Sequence, residues 1–569
     1  MNGRFTGVLH VCAWIMGRAC MSLILIGLPS VGWAQTVPDS GTLQQQQQQQ
    51  LEQDRREQLP TQAPEVEPPQ REERSQSPQP AVPVKGFRFQ GNTLVDDETL
   101  QTVVAPFTNR SLTLQEMQQA ASAVAAWYRR DGWVVRTYLP RQDVTEGIIT
   151  INILEATFGE ATFNEPLPKR IPGETILDII TRQQQTGAHL NLPALDRGLL
   201  LADDLPGVAV NGGLQVGKQA GETNLLVTAA DEDLFRVAVG VDNAGTRATG
   251  ATRGWARATA NSPLNIGDQV TINTILSEGS QYGRLHYSVP VGRDGWRIGA
   301  STSYLHYELV EKTFDPLNAK GEGWTVGLDA VYPLIRARNY NLQFLLNYDY
   351  RQFENRSLGT RQSDYHIVEG TAGLAGNWFE SLVGTPGATF GSLAWVIGTL
   401  DQGKHQASEN ADREGEFNKF RVFASREQQI IPWMSAYVAF TGQKSFETLD
   451  SAEKFYVGGP QSVRAYPVNE ASGSTGWLTN LELRTRAANG MYFTGFYDVG
   501  HVTNKNSVGK TYTLKGGGLN LGWRMPSGLT LDVIWAHRVG DNPNPTVQRK
   551  DQDGSSVENR FWLSASFAF

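Results

Sequence analysis

Few side chains in this sequence are equipped for covalent, acid–base or metal chemistry, and they are poorly placed for it. The only cysteines are Cys12 and Cys20, both within the first twenty residues. If that segment is removed on export, no thiol remains for a disulfide, a zinc site or a nucleophile. The histidines stand at 10, 189, 286, 306, 366, 405, 501 and 537, without the helical spacing of a metal site. No Gly-x-Ser-x-Gly elbow or phosphate-binding glycine loop occurs. His501 follows closely on Asp498, so a Ser-His-Asp site can be drawn, but a histidine at a strand end is the simpler reading. Asp203-Asp204 and Asp231-Glu232-Asp233 are too sparse for a calcium loop and read as solvated turns. The sequence predicts no catalytic residues, no metal and no cofactor: not an enzyme.

Composition narrows the partners. The chain has 569 residues, with 50 Lys+Arg against 58 Asp+Glu and a formal net charge of −8. Nucleic-acid binders carry a basic field, so nucleic acid is not an expected partner. Residues 1–34 read as a signal peptide. Arg4 and Arg18 supply positive charge, Ala19–Leu28 an apolar core, and Gly32 and Ala34 the small residues before cleavage ahead of Gln35. That apolar run is shorter than the roughly 20 residues of a spanning helix. The reading is export, not a helical membrane anchor.

Residues 35–83 are low in complexity. Gln44–Gln50 and the following LEQDRREQL are helix-competent, and Pro60–Pro83 is an extended tether. The texture changes at Val84. A strand ends in Gly91-Asn92, helical stretches cover 94–105 and 112–130, and strands follow at 133–140 and 147–156. Met117, Ala120, Ala121, Val124 and Trp127 form one apolar face at helical spacing. A weaker echo of this β-α-α-β-β order follows, with helices at 174–183 and 192–205 and strands at 208–217 and 224–231. Two small α+β modules are expected, over 84–157 and 158–232.

From 233 to 569 the period becomes two. In NLQFLLNYDY (341–350) apolar residues alternate with Asn, Gln and Asp, and QVTINTIL (269–276), TVGLDAVY (325–332) and LTLDVIW (529–535) behave alike. Polar stretches 401–418 and 541–558 are expected extracellular loops. At the end, Phe561, Leu563, Ala565, Phe567 and Phe569 alternate with Trp562, Ser564, Ser566 and Ala568, closing on an aromatic residue. Lipid gives backbone groups no partner, so an exported chain of this pattern closes into a barrel. At roughly 9–11 residues per strand plus loops, 233–569 fits about 14–18 strands, with 16 the working value. The expected class is membrane all-β: an outer-membrane β-barrel behind two periplasmic α+β modules.

Two motifs then carry a resemblance. Val463-Arg464-Ala465-Tyr466 follows Gly458-Gly459 and matches a VRGY loop motif, and Phe496-Tyr497-Asp498-Val499-Gly500 matches an F-x-D-x-G strand motif. With FRFQGNT and LPGVAV in the two modules, VDNAGTRATG (241–250) as an opening strand and turn, and YPLIRARNYNL (332–342) as a mid-barrel strand, residues 84–569 resemble the two-partner secretion transporters, the TpsB or ShlB/FhaC/HecB haemolysin secretion/activation family. The resemblance implies that the modules are POTRA domains and that the VRGY-type loop enters the lumen, where Arg464 pairs with Asp498. If Asp498 faces the lumen, Thr494, Phe496 and Gly500 do too, leaving Phe493, Tyr497 and Val499 toward lipid. A guanidinium fork on a carboxylate gives such a loop a fixed anchor. Ala465 departs from the family glycine, and a backbone needing positive φ would be strained there. Gly473-Ser474-Thr475-Gly476 also lacks an acidic residue that many relatives have.

The resemblance further implies a pore-plugging helix at 42–59 tethered by the proline-rich segment. Phe569 would be the C-terminal signal read by the barrel-assembly machinery, and outer-membrane lipid would surround the barrel. The expected function is secretion of one large unfolded exoprotein, a TpsA-like client, caught by the POTRA modules and passed through the pore. A barrel-assembly factor of the same superfamily and a passive porin are the alternatives. Two modules with an N-terminal helix favour secretion.

Overall fold

A computed structural model describes residues 37–57, 81–382, 384–403, 413–504 and 511–569. The expected signal peptide and most of the tether lie outside the described residues. Helix α1 (Ser40–Glu57) contains the glutamine tract. Asp39 starts it, its side chain accepting from Thr42 N at 2.8 Å and its carbonyl from Leu43 N at 3.1 Å. That satisfies amides a helix N-terminus otherwise leaves open.

The first module has β1 (Val82–Val84), β2 (Gly86–Gln90), α2 (Asp97–Val104), β3 (Arg110–Leu112), α3 (Leu114–Arg130), β4 (Val135–Tyr138) and β5 (Ile148–Glu155). Its main sheet has the order β2-β5-β4, while β1 pairs with β3. Thr113 and Glu116 form a capping box that begins α3, and Gly132, at φ +86°, lets the chain turn away after it. Met117, Ala120, Ala121, Val124 and Tyr128 are buried. Tyr128, not the expected Trp127, continues the i, i+4 stripe from Val124. Trp127 is half-buried beneath the Arg130 guanidinium, 3.6 Å from its ring centroid. Helix α2 also begins later than expected. Leu94 instead belongs to a turn whose amide donates to Glu155 at 3.0 Å, and Asp96 caps the helix through Thr99 N.

The second module contains β6 (Thr157–Phe163), α4 (Gly173–Gln183), α5 (Leu192–Asp203), β7 (Val208–Val216) and β8 (Glu222–Asp231), with sheet order β6-β8-β7. Phe158, Ile176, Ile180, Leu199 and Val227 lie in its core. The modules are stitched by backbone bonds: Val134 N to Leu190 O (3.1 Å), Leu190 N to Ala156 O (2.8 Å) and Ala156 N to Val134 O (2.9 Å).

Sixteen antiparallel strands, from Phe235–Asp242 to Asn559–Ala568, close the barrel. At the seam the first and last strands pair from Asp242 opposite Ser564 to Ala238 opposite Ala568, and Phe569 exchanges two backbone bonds with Val237. The wall is inverted relative to a soluble fold. Leu328 is 60 % exposed, and Leu393, Leu483 and Leu519 are also exposed, whereas Arg351, Lys419 and Asp498 are buried inside. Apolar outside and polar inside is what lipid selects. Among the described residues, no helix is long and apolar enough to cross a membrane.

Two expectations are corrected. YPLIRARNYNL is not one strand: it ends the strand Lys320–Arg336, turns, and begins Tyr340–Ser357. Its arginines hold the second module, Arg336 meeting Asp204 through two 2.8 Å bonds and Arg338 meeting Asp196 at 2.8 Å. Asp204 is therefore an inter-domain contact rather than a solvated turn. Likewise Asp231 accepts from the amides of Lys169 and Arg170, both at 3.0 Å.

Candidate functional site in the barrel lumen

The segment 446–474, between the strands Met434–Ser445 and Thr475–Arg486, folds back as a loop. A short ribbon, Phe455–Val457 paired with Ala471–Gly473, forms its stem. Gly458 and Gly459 turn the tip at φ +109° and +104°, conformations that favour glycine. Gly459 N then donates to Tyr466 O at 3.0 Å. Val463, Ala465 and Tyr466 are buried in an apolar cluster with Val457, Leu478, Val502 and Leu514.

The structure brings Arg464 and Asp498 together. Arg464 Nε donates to Asp498 Oδ2 at 2.8 Å and Nη2 to Oδ1 at 2.7 Å, while the Arg464 amide adds a third bond at 3.1 Å. Asp498 is 0 % exposed. The guanidinium lies over the Phe496 ring, 3.5 Å from its centroid. The two motifs thus supply both the ion pair and its packing surface. Thr494, Phe496, Asp498 and Gly500 are buried, and Phe493 and Tyr497 are exposed.

Gly500 has a steric reason. A Cβ there would come within 2.8 Å of Val463 Cγ2, so the loop tip fits only against a bare backbone. Ala465 corrects the expected strain, because it is absent from the residues with positive φ. Room for its methyl comes from the wall: a Cβ on Gly516, directly opposite Asp498, would lie 2.4 Å from Ala465 Cβ. His501 points to the other strand face, stacked on Trp477 at 5.7 Å and bonded to Thr513 Oγ1 at 2.9 Å, so no triad forms with Asp498.

Sequence reasoning missed three partners. Asn480 Nδ2 donates to Asp498 Oδ1 at 2.8 Å and to Ser462 O at 3.2 Å. Glu482 meets Arg464 at 2.9 Å, and Trp562 Nε1 donates to Arg464 O at 2.8 Å. Asn480, Glu482 and Arg484 alternate with Leu481 and Leu483, so strand parity could have found the first two. Trp562 lies opposite in parity to the exposed Phe561 and Leu563, so the terminal alternation also pointed it inward, though not to Arg464.

Helix α1 lies in the lumen. Ser40 N donates to Asn355 Oδ1 (2.9 Å), Gln44 Nε2 to Ser303 and Thr325 hydroxyls (3.0 and 3.1 Å), and Arg253 to Gln50 Oε1 (2.7 Å). Glu52 pairs with Arg421. Leu43 is its apolar pin, packed with Tyr282, Leu305 and Phe314. The glutamines present amides to a polar wall at several registers, which an apolar helix could not do. A cavity of about 1280 Å³ remains beside the helix, lined among others by Gln49, Arg257, Arg484 and Trp562.

At one mouth the loop 541–558 folds inward. Asp551 takes both Arg538 (2.6 Å) and Arg560 (2.8 Å), and Arg538 lies 4.6 Å from the centroid of the Tyr466 ring. At the other end, in the first module, burial tends to raise the Glu155 carboxyl. Donors from Thr93, Leu94 and Tyr128 outweigh burial and hold it below its ordinary range.

Comparisons with known proteins agree with this architecture. Residues 221–525 match the family described as haemolysin secretion/activation protein ShlB/FhaC/HecB, and residues 82–156 match the ShlB-type POTRA domain. The heme/hemopexin transporter protein HuxB of Haemophilus influenzae is 27% identical over 402 residues, 69% of each chain. The outer membrane transporter CdiB of Dickeya dadantii is 23% identical over 81% of this chain and 86% of its own. The solved structure of CdiB from Escherichia coli superposes with a TM-score of 0.75 at 19% identity, over 94% of this chain and 100% of that one. This chain belongs to the ShlB/FhaC/HecB haemolysin secretion/activation family, and it is a two-partner-secretion transporter whose barrel sits in the outer membrane with its POTRA modules in the periplasm.

Proposed function

We propose that the modules capture one large, unfolded, β-rich exoprotein and hand it to the lumen, where α1 withdraws and the Arg464 loop shifts to let it pass. The observation that supports this best is a pore occupied by two segments of its own chain, each fastened to the wall by polar contacts beside smaller apolar ones. Such contacts exchange readily for those of a passing peptide, whose backbone carries the same donors and acceptors. A passive porin has no use for them.

Capture is assigned to the sheet edges β4 and β7, which can take up an extended strand through main-chain bonds. The sequence of β7, VAVNGGLQV, carries neither proline nor charge, the usual protections of an edge, and its end residue Val216 is 92 % exposed. Client folding outside the cell supplies the drive, since it disfavours return. No catalytic step is assigned. The barrel reaches the membrane through the assembly machinery, with Phe569 in its recognition signal, and its exposed leucines meet lipid. The relatives act on different cargoes by their names, so this client is proposed only by class.

A photo-crosslinking side chain at Gly213 tests capture in the full-length protein, because a Cβ there meets open space. During export it should trap an extended client. Efficient export with no crosslink from Gly213 or from the β4 edge would contradict capture at these edges.

A further inference from the structure

The lumen loop has a second attachment to the wall, built of buried charge. In the turn Ser451–Glu453, Glu453 is 2 % exposed. Its Oε2 accepts from Lys419 Nζ at 2.6 Å, and its Oε1 lies 2.6 Å from Arg351 Nη2. Arg351 also meets Glu369 at 2.6 Å, and both Arg351 and Lys419 are 1 % exposed. Lys419 Nζ and Gln443 Nε2 donate in addition to the Glu453 carbonyl, at 3.0 and 2.9 Å. None of these residues belongs to the Arg464 cluster.

The plug rests on this same turn. Ser451 Oγ donates to Asp39 Oδ2, at the start of α1, at 2.7 Å. The Tyr456 hydroxyl donates to Ser451 O at 2.8 Å and shares a hydrogen bond with Thr42 Oγ1 at 3.1 Å. Gly41 packs so tightly that a Cβ would meet Tyr365 OH at 2.6 Å and Ser451 Oγ at 2.9 Å. The loop therefore has two separately fastened parts: a tip held by Arg464 and Asp498, and a base held by Glu453 that bears the plug.

We propose that the turn Ser451–Glu453 is the seat of α1, and that Glu453 is a positioning residue that keeps the pore closed by holding this seat to the wall. The inference rests on the reading that α1 closes the pore. Neutralising Glu453 takes from Lys419 its hydrogen-bonded carboxylate and leaves Arg351 with Glu369 and Asp349, so the buried cations no longer hold the turn to the wall. Asp39 and Thr42 then lose their partners while the tip stays pinned. Moving the base frees the N-terminal end of α1, whose other holds are its wall contacts at Asn355, Ser303, Thr325, Arg253 and Arg421.

The test is single-channel conductance of the full-length protein in planar bilayers. Glu453→Gln should raise the open fraction at least about tenfold. Ser451→Ala, which cuts the bond to Asp39 and a 3.2 Å bond to the buried Asp450 carboxylate but leaves Glu453 and its cations intact, should raise it roughly threefold. In a chain lacking residues 37–57, neither substitution should raise it further. Conductance unchanged by Ser451→Ala, or an equal rise from Glu453→Gln with the helix deleted, would overturn the inference. If Glu453→Gln fails to give a heat-modifiable barrel, Ser451→Ala with and without the helix decides alone. Deletion of 37–57 that leaves the pore closed would refute the plug itself, whereas an open deletion pore beside closed Glu453→Gln and Ser451→Ala pores refutes only the seat.

Discussion

The periplasmic modules and the barrel lumen are both occupied by their own chain, but with largely opposite materials, and the lumen keeps a cavity of about 1280 Å³ beside its helix. The modules close around Phe158, Ile176, Ile180, Leu100, Val124 and Ile151, dry apolar cores held by the hydrophobic effect. The lumen holds a glutamine-rich helix and a loop fastened by guanidinium–carboxylate pairs. An apolar core is stable because nothing in water competes for it. Amides and ion pairs can exchange their partners for the polar groups of an incoming peptide, which an apolar core cannot do. In the proposed mechanism the difference separates the part that stays folded from the part that opens.

The largest expected effect comes from breaking the lumen side. Asp498→Ala strands the buried Arg464 guanidinium with Glu482 as its remaining anion, and should destabilise the loop by about 3–5 kcal/mol. Secretion should fall to background while the barrel stays heat-modifiable. A wild-type secretion level would mean that the tip needs no anchor.

The module side breaks differently. Ile180→Ala, in the core of the second module, should cost about 2–5 kcal/mol and raise hydrogen exchange across β6, β7 and β8. Exchange in the barrel strands should not change. If both regions loosen together, they share one folding unit and the contrast fails.

A smaller effect sharpens the loop's fit. Gly516→Ala should cost about 1–3 kcal/mol through collision with the Ala465 methyl. Adding Ala465→Gly should recover most of the loss, read as secretion by the single and double variants. Strict additivity would show that the two positions do not touch.

The smallest effect concerns charge inside an otherwise apolar module. Glu155 is held below its ordinary range, so its contribution is complete above the unfolded carboxyl's pKa of about 4.3 and is lost as pH falls through the lower folded value. Thermal unfolding of the modules in the full chain should weaken at acid pH more in the native protein than in Glu155→Gln. Parallel pH profiles would remove Glu155 from the account.

The same contrast explains what was legible in the sequence. Helix α3 was readable because its stripe recurs at 117, 120, 121 and 124, although the stripe's next member was misjudged as Trp127 when the i, i+4 step leads to Tyr128. Barrel strands were readable from alternation, since lipid and lumen impose opposite polarity on neighbouring residues. The Arg464–Asp498 contact came only through motif resemblance. Lumen contacts such as Glu453 with Arg351 join residues 102 positions apart, and no local period encodes them. The POTRA–barrel contact at Asp204 and Arg336 was hidden likewise, because a charge in a turn looks the same whether it meets water or another domain. Ala465 was misjudged since its accommodation lies on another strand, at Gly516.

If the chain exports one dedicated client, its deletion should remove that client and nothing else from the cell envelope. The culture-medium and outer-membrane proteomes of the deletion strain would be compared with those of its parent. One large protein should be lost from the medium or cell surface, with other barrels at parental abundance. A broad fall in many outer-membrane barrels, with no single exported protein missing, would contradict dedicated export and make the chain an assembly factor.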